Sequence, residues 1–434
     1  MNYLEAREYI NKALKKGSIL GLESIKRLMN ELSNVQNEVK VLHIAGTNGK
    51  GSTLAYISEI LKQAGYKVGK YTSPAVFDYR EIFQINGEYI SEEKYAFLMS
   101  KIKEAVDRIE KNGFESPTAF EIETALAYLY FYEEKCDFAL VETGLGGDMD
   151  ATNIVEDTLV SIITPISLDH TQFLGNTITE IATHKAGIIK ENSSVVVANQ
   201  TKEATEVMIQ NAMQNNAECV ICNVPENVKY ELDKTVFDYV SASGNEYKNI
   251  TTMMLGDFQT ENIVTAIEVI EAVVEKGYDI SAECVYNGIK NTIWHGRFEK
   301  ICDKPDIYFD GGHNPGAGEH IKKCVEIYFT NKRIVYIIGV LADKDYDSVL
   351  RLTGGYASDI ITVTPNNARA LLGEELKNAA KKYNDNVVSA DTIEEAVKMA
   401  VSMVDNDDVI MIFGSLSYLD EAKLAVERRN SDDR

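Results

Sequence analysis

Gly46-Thr47-Asn48-Gly49-Lys50-Gly51-Ser52 sets one lysine and one small hydroxyl among glycines. Such a turn lets backbone N–H groups close on phosphate oxygens, and a helix starting there adds a favourable dipole. Lys50 can reach the outer phosphates, and the Ser52 hydroxyl can face a metal. The spacing departs from the common Walker pattern: only two residues separate Gly46 from Gly49-Lys50, and Gly51 intervenes before Ser52. Glu142-Thr143-Gly144-Leu145-Gly146-Gly147 offers a carboxylate that can hold Mg²⁺ opposite a phosphate loop. Asp169-His170 and His184-Lys185-Ala186-Gly187-Ile188 add imidazoles and an amine. In the distal half, Trp294-His295-Gly296-Arg297-Phe298-Glu299 brings an arginine able to clamp phosphates across a cleft. Asp310-Gly311-Gly312-His313-Asn314-Pro315 brings an acid placed for ribose hydroxyls. Taken singly, most of these have an ordinary reading: a satisfied strand-end acid, a surface histidine, a linker arginine, an aspartate capping a turn.

The elements that must position them alternate between apolar runs and helical patterns, the mark of a parallel sheet flanked by helices. Residues 39–45 read as a strand. After the glycine-rich turn, Leu54, Ile57, Leu61 and Ala64 recur at helical spacing, and Gly65 stands where a helix would end. Ser116-Pro117 is expected to open a second helix that runs toward Glu133. Strands are expected at 138–141, ending on Glu142, at 159–166 and at 194–198. Residues 220–250 hold several short candidate strands, and a helix follows from Gly256. After a break at 294–297, strands are expected near 306–310, 334–339, 359–364, 387–389 and 409–413. The class is α/β with two domains. An N-terminal P-loop-type, mostly parallel sheet with helices on both faces occupies 1–295, and a smaller Rossmann-like domain occupies 296–434. In such sheets ligands bind at the carboxyl ends of strands, where the candidates fall.

The 434-residue length suits two domains, and 45% apolar residues can build large cores. A formal charge of −23 argues against nucleic-acid binding and requires any anion site to be a local cationic island. No run reaches the roughly 20 apolar residues of a membrane span, and the start, MNYLEAREYI, lacks a signal peptide's apolar run. The expectation is a cytoplasmic enzyme. The six cysteines are scattered. Cys219 and Cys222 lie in an apolar strand without a second pair, so free thiols are expected rather than zinc.

The segments GTNGKGS, ETGLGG followed by DATN, SLDH, HKAGI, HGRFE and DGGHNP, in this order, resemble the folylpolyglutamate synthase / dihydrofolate synthase family of the Mur ligase superfamily. The likeness extends to Gly21-Leu22-Glu23, Asp343-Lys344-Asp345 and Gly414-Ser415-Leu416. It implies an ATP-dependent ligase that joins L-glutamate to a folate and to dihydropteroate through an acyl phosphate. It implies that Asn48, Gly49, Lys50, Gly51 and Ser52, with Asn262, Arg297 and Asp310, hold ATP. Ser73, Glu142 and His170 would hold Mg²⁺. Lys185 would be carbamylated, and His313 would lie near the phosphates, giving Lys50, Lys185 and His313 catalytic roles. Thr118, Phe120 and Glu121, with Met149, Asp150 and Ala151, would face the pterin. Relatives are mostly monomers. Three positions depart from the pattern: Ala75 where His is expected, His184 where an acid is usual, and His295 where Pro is common.

Overall fold

A computed structural model describes residues 1–14, 17 and 21–432. The first sheet holds β1 (Val41–Ala45), β2 (Val68–Tyr71), β3 (Phe83–Ile85), β4 (Glu88–Tyr89), β5 (Phe138–Glu142), β6 (Val160–Ile163), β7 (Ser194–Val197) and β8 (Glu218–Ile221). Their spatial order is β4-β3-β2-β5-β1-β6-β7-β8. From β2 to β8 all neighbours are parallel, and the β3–β4 hairpin adds an antiparallel edge. β1, β5, β6 and β7 are buried along their whole length. They read as continuous apolar runs because helices cover both faces.

Alternation along the strands assigns the two faces. Val41, Tyr71, Ala139 and Val141 pack against helices Tyr3–Leu14, Glu23–Glu31, Glu92–Lys111 and Ala119–Glu133. Leu42, Ile44, Val68 and Leu140 pack against helices Lys50–Gln63, Phe258–Glu275 and Ala282–Asn291. A small antiparallel sheet of β9 (Glu226–Tyr230), β10 (Thr235–Val240) and β11 (Glu246–Thr252) covers this second face. It resolves the short strands expected at 220–250.

Residues 292–298 lead to the second sheet: β12 (Glu299–Asp303), β13 (Asp306–Asp310), β14 (Ile334–Ile338), β15 (Asp359–Thr362), β16 (Val387–Ser389) and β17 (Val409–Phe413). Its order is β12-β13-β17-β14-β15-β16, parallel except for the β12 edge. Helices Pro315–Tyr328 and Ile393–Ser402 pack on opposite faces. The two bodies share apolar contacts. Leu255 and Phe258 join one core cluster of the second sheet, and Val76 and Phe77 join the other.

One expectation fails locally. The helix placed at Ser116-Pro117 begins at Ala119, with Thr118 as its N-cap and Pro117 outside. Thr118 and Glu121 form a reciprocal capping box: Thr118 Oγ1 accepts the Glu121 N–H at 3.3 Å, and the Glu121 carboxylate accepts the Thr118 N–H at 2.7 Å. That satisfies two otherwise orphaned donors, and it outweighs proline's preset φ. Among the described residues no helix is long and apolar enough to cross a membrane. All six cysteines are free.

Candidate active site

β1 has β5 on one side and β6 on the other, so the turn leaving its carboxyl end opens at the sheet's switch point. The turn feeds directly into helix Lys50–Gln63, with Gly49 as the N-cap at φ +87°. A β-carbon at Gly49 would lie 2.4 Å from Asn262 Oδ1, so this position admits only glycine. The Thr47 N–H donates to the Pro165 carbonyl at 3.0 Å and its hydroxyl to the Ser167 carbonyl at 3.1 Å, which ties the turn to the loop after β6. Lys50 Nζ donates to the Gly46 and Thr47 carbonyls at 3.2 and 3.4 Å and lies 3.7 Å from Glu142 Oε1. Burial raises the Glu142 carboxyl, while Lys50, Arg297 and the Ser73 N–H pull it back down.

Lys185 sits at the end of helix Ile178–Ala186 and donates to the same Gly46 carbonyl at 2.7 Å. Its amine is buried, and burial followed by the Lys50 charge brings it down to about 7. The depressed value raises the share of neutral amine, the nucleophilic form. His184 does not stand free: its Nδ1 lies 3.0 Å from Asp148 Oδ1, and its carbonyl accepts the Asp148 N–H at 2.9 Å. The pair bolts the lysine-bearing helix to the loop after β5. Burial also lowers His170, to about 4, so the imidazole is neutral near pH 7.

The second sheet completes the far wall. Asp310, at the end of β13, accepts the Phe298 and Gly312 N–H groups at 2.9 and 2.6 Å. Burial raises its carboxyl, and the neighbouring Arg297 opposes the shift. Asn314 caps helix Pro315–Tyr328 and exchanges two hydrogen bonds with Asn48, at 3.1 and 3.0 Å, so the glycine-rich turn after β1 is tied directly to the second domain. Asp169 sits at the seam. It accepts from Lys344 Nζ at 2.9 Å and Asn314 Nδ2 at 3.1 Å, with His313 Nε2 at 3.7 Å. Burial works against its charge, yet His313 and Lys344 hold the carboxyl far below its usual range.

On the other side lie Thr118, Phe120, Glu121, Met149, Asp150 and Ala151. Glu121 Oε2 takes both Thr118 donors, and the Ser24 hydroxyl at 3.2 Å. Asp150 accepts the Leu145 N–H at 2.7 Å and the Thr152 hydroxyl at 2.5 Å. Every candidate residue named from the sequence, from Asn48 to His313, lines one cavity of about 890 Å³ between the two sheets. Lys344, Asn367, Arg369, Ser415 and Ser417 line it too. Of these, Lys344 and Ser415 fall in segments the family pattern singles out; the other three carry no sequence signal of their own.

The other departures also have partners. Ala75 packs against the first core cluster and lines the cavity. His295 Nδ1 lies 2.6 Å from Glu299 Oε1, and its ring meets the edge of Phe77.

Among the described residues no group of three acidic, histidine or cysteine side chains could hold a metal alone. Glu142, Ser73 and His170 offer one carboxylate, one hydroxyl and one neutral imidazole in the same cavity. That set fits Mg²⁺, which keeps several waters and is shared between one or two carboxylates and substrate phosphates.

Comparison with known proteins agrees with this geometry. The Mur ligase middle domain matches residues 44–270, and the Mur ligase glutamate ligase domain matches residues 296–416. The chain is 34% identical to the dihydrofolate synthase/folylpolyglutamate synthase of Bacillus subtilis, covering 97% of this chain and 98% of that one. It superposes on Mycobacterium tuberculosis folylpolyglutamate synthase, solved with ADP and AMPPCP, with a TM-score of 0.89, 26% identity and 99% of both chains covered. E. coli FolC in complex with DHPP and ADP gives a TM-score of 0.88, 28% identity and 99% of both chains. The chain belongs to the folylpolyglutamate synthase / dihydrofolate synthase family of Mur ligases, and it is an ATP-dependent glutamate ligase.

Proposed function

We propose that this enzyme extends folates with L-glutamate and also makes dihydrofolate from dihydropteroate, each through an acyl phosphate. The reading rests above all on one observation: Lys50, Glu142, Lys185, Arg297, Asp310 and His313 come from two sheets and meet in one cavity. The N–H groups of the loop from Asn48 to Ser52, with Asn262, bind ATP, and Asp310 takes the ribose. Lys50 and Arg297 form the cationic island that a protein of net charge −23 needs around phosphates. Ser73, Glu142 and His170 hold Mg²⁺, which when bound neutralises phosphate charge. Thr118, Phe120, Glu121, Met149, Asp150 and Ala151 face the pterin.

The acceptor's carboxylate oxygen attacks the γ-phosphorus, a new P–O bond forms, and the bond to the β-phosphate oxygen breaks to release ADP. The amine of glutamate then attacks the acyl carbon, its C–O bond to phosphate breaks, and a proton leaves the nitrogen. Positioning and charge neutralisation dominate the first step. The neutral form of the Lys185 amine adds CO₂ and loses a proton, which turns the side chain into a carbamate carrying a carboxylate. The cavity between two sheets keeps water from the acyl phosphate. We place the domain boundary at 295/296, and the enzyme in the cytoplasm as a monomer.

Phosphate release from ATP and Mg²⁺ with glutamate tests the reading, comparing dihydropteroate with tetrahydrofolate. Glutamate-dependent release with both supports two activities. Release with tetrahydrofolate alone restricts the enzyme to chain extension, and release with neither overturns the substrate assignment.

A further inference from the structure

Lys70 lies in the middle of β2, is only 6% exposed, and its amine makes no hydrogen bond or ion pair among the described residues. What it meets is an aromatic face: Nζ stands 4.5 Å from the centroid of the Trp294 ring. Burial draws the amine down to about 8. Glu59 and Lys62 on helix Lys50–Gln63, Glu81 on the turn Tyr79–Ile82 and Glu142 on β5 act on it through space, and the three carboxylates favour its charge. The Trp294 ring is the group that this buried ammonium meets at close range.

The other edge of the same indole rests on the phosphate loop. A β-carbon added to Gly51 would fall 2.7 Å from Trp294 Cζ2 and 2.9 Å from Nε1. This contact accounts for the glycine that intervenes between Lys50 and Ser52: a side chain there would displace the indole. Trp294 therefore sits between the first turn of the nucleotide helix and a buried cation. It lies three residues before Arg297, in the segment that joins the two sheets.

We propose that Lys70 is a positioning residue, whose ammonium seats Trp294 against Gly51 and thereby fixes Arg297 relative to the phosphate loop. The idea rests on the reading of that loop and Arg297 as the ATP site. It requires a cation at 70 and a π-face at 294, but no contact between Lys70 and any substrate.

Trp294 is the sole tryptophan, so its emission reports the contact directly. In the substrate-free protein, Lys70→Met is expected to move the emission maximum, and Lys70→Arg to leave it near its wild-type position. The same Lys70→Met change lowers kcat about tenfold, in keeping with a desolvated cation–π contact, leaves KM for glutamate unchanged, and is rescued by Lys70→Arg. Trp294→Phe, which keeps a ring under the amine, loses less kcat than Trp294→Leu. Wild-type emission in Lys70→Met, a shifted emission without any change in kcat, or equal losses in the two Trp294 variants would each overturn the proposal. The emission arm needs no substrate, so a failure of the ligase reading would appear only in the kinetic arm.

Discussion

Two cations in the cavity have opposite characters, and substitution separates them. Lys185 is buried and, among the described residues, donates only to a backbone carbonyl, so removing its amine strips a group that no other side chain replaces. Lys185→Ala is expected to cut phosphate release at least about a hundredfold, as for loss of a group that acts at the phosphates. Acetate or formate should restore part of the activity by standing where the proposed carbamate would stand. Full activity without rescue would remove the carbamate from the mechanism. Arg297 is half-buried and, among the described residues, makes a single hydrogen bond, to the Gly296 carbonyl at 3.0 Å. Arg297→Ala therefore lowers kcat/KM for ATP by roughly a hundredfold, as for a charge that clamps a transferring phosphoryl group, while Tm hardly moves. An unchanged kcat/KM would return it to the role of a linker residue.

At the scale of elements, the turn after β1 is tuned by backbone geometry rather than by charge. Gly49→Ala combines a left-handed φ with a collision against Asn262 Oδ1. The φ alone costs about 1–2 kcal/mol, and Asn262 must then leave its place beside Thr53 and Gln259. The variant should show a lower Tm and no measurable ATP binding by calorimetry. Normal affinity would mean the loop tolerates a different path. The sequence carried this turn well, because its strand, glycines and helix are contiguous and each signal is local. It also carried the strand ends at Glu142 and Asp310. It misled at Pro117, where two signals competed: a proline suited to a first turn, and a Thr-x-x-Glu box one residue later. The box satisfies two donors, and it won. The β3–β4 hairpin was missed although Asn86-Gly87, both at positive φ, is the usual hairpin signal, because both strands are very short. No local pattern could have paired Asp169 with Lys344 or Asn48 with Asn314. Those contacts exist only once the second sheet is docked.

Docking itself is the property of the whole molecule that ionisation can test. Beyond the seam at Asp169, the two bodies meet where Asp257, just before helix Phe258–Glu275, lies 3.1 Å from His320 Nδ1 on helix Pro315–Tyr328, with Lys323 Nζ at 3.3 Å. Burial works to lower the His320 imidazole, but the Asp257 hydrogen bond and charge, with Glu261 behind them, carry it above its ordinary 6.5. A histidine whose folded value is raised binds its proton more tightly in the docked state. Its contribution is complete below the unfolded value and is lost as pH rises through the folded one. Asp257 is held below its ordinary value and stays ionised across that window. The contact should therefore weaken on the alkaline side of 6.5, without any change in Asp257. Tm measured from pH 6 to 9 should fall more steeply in the wild type than in His320→Gln. The glutamine fills similar space but has no proton to lose. Small-angle scattering over the same range should show the wild type expanding first, as the second sheet swings free. Parallel Tm curves for the two proteins would place the pH dependence of docking elsewhere and leave the Asp169–Lys344 pair as the principal cross-sheet clamp.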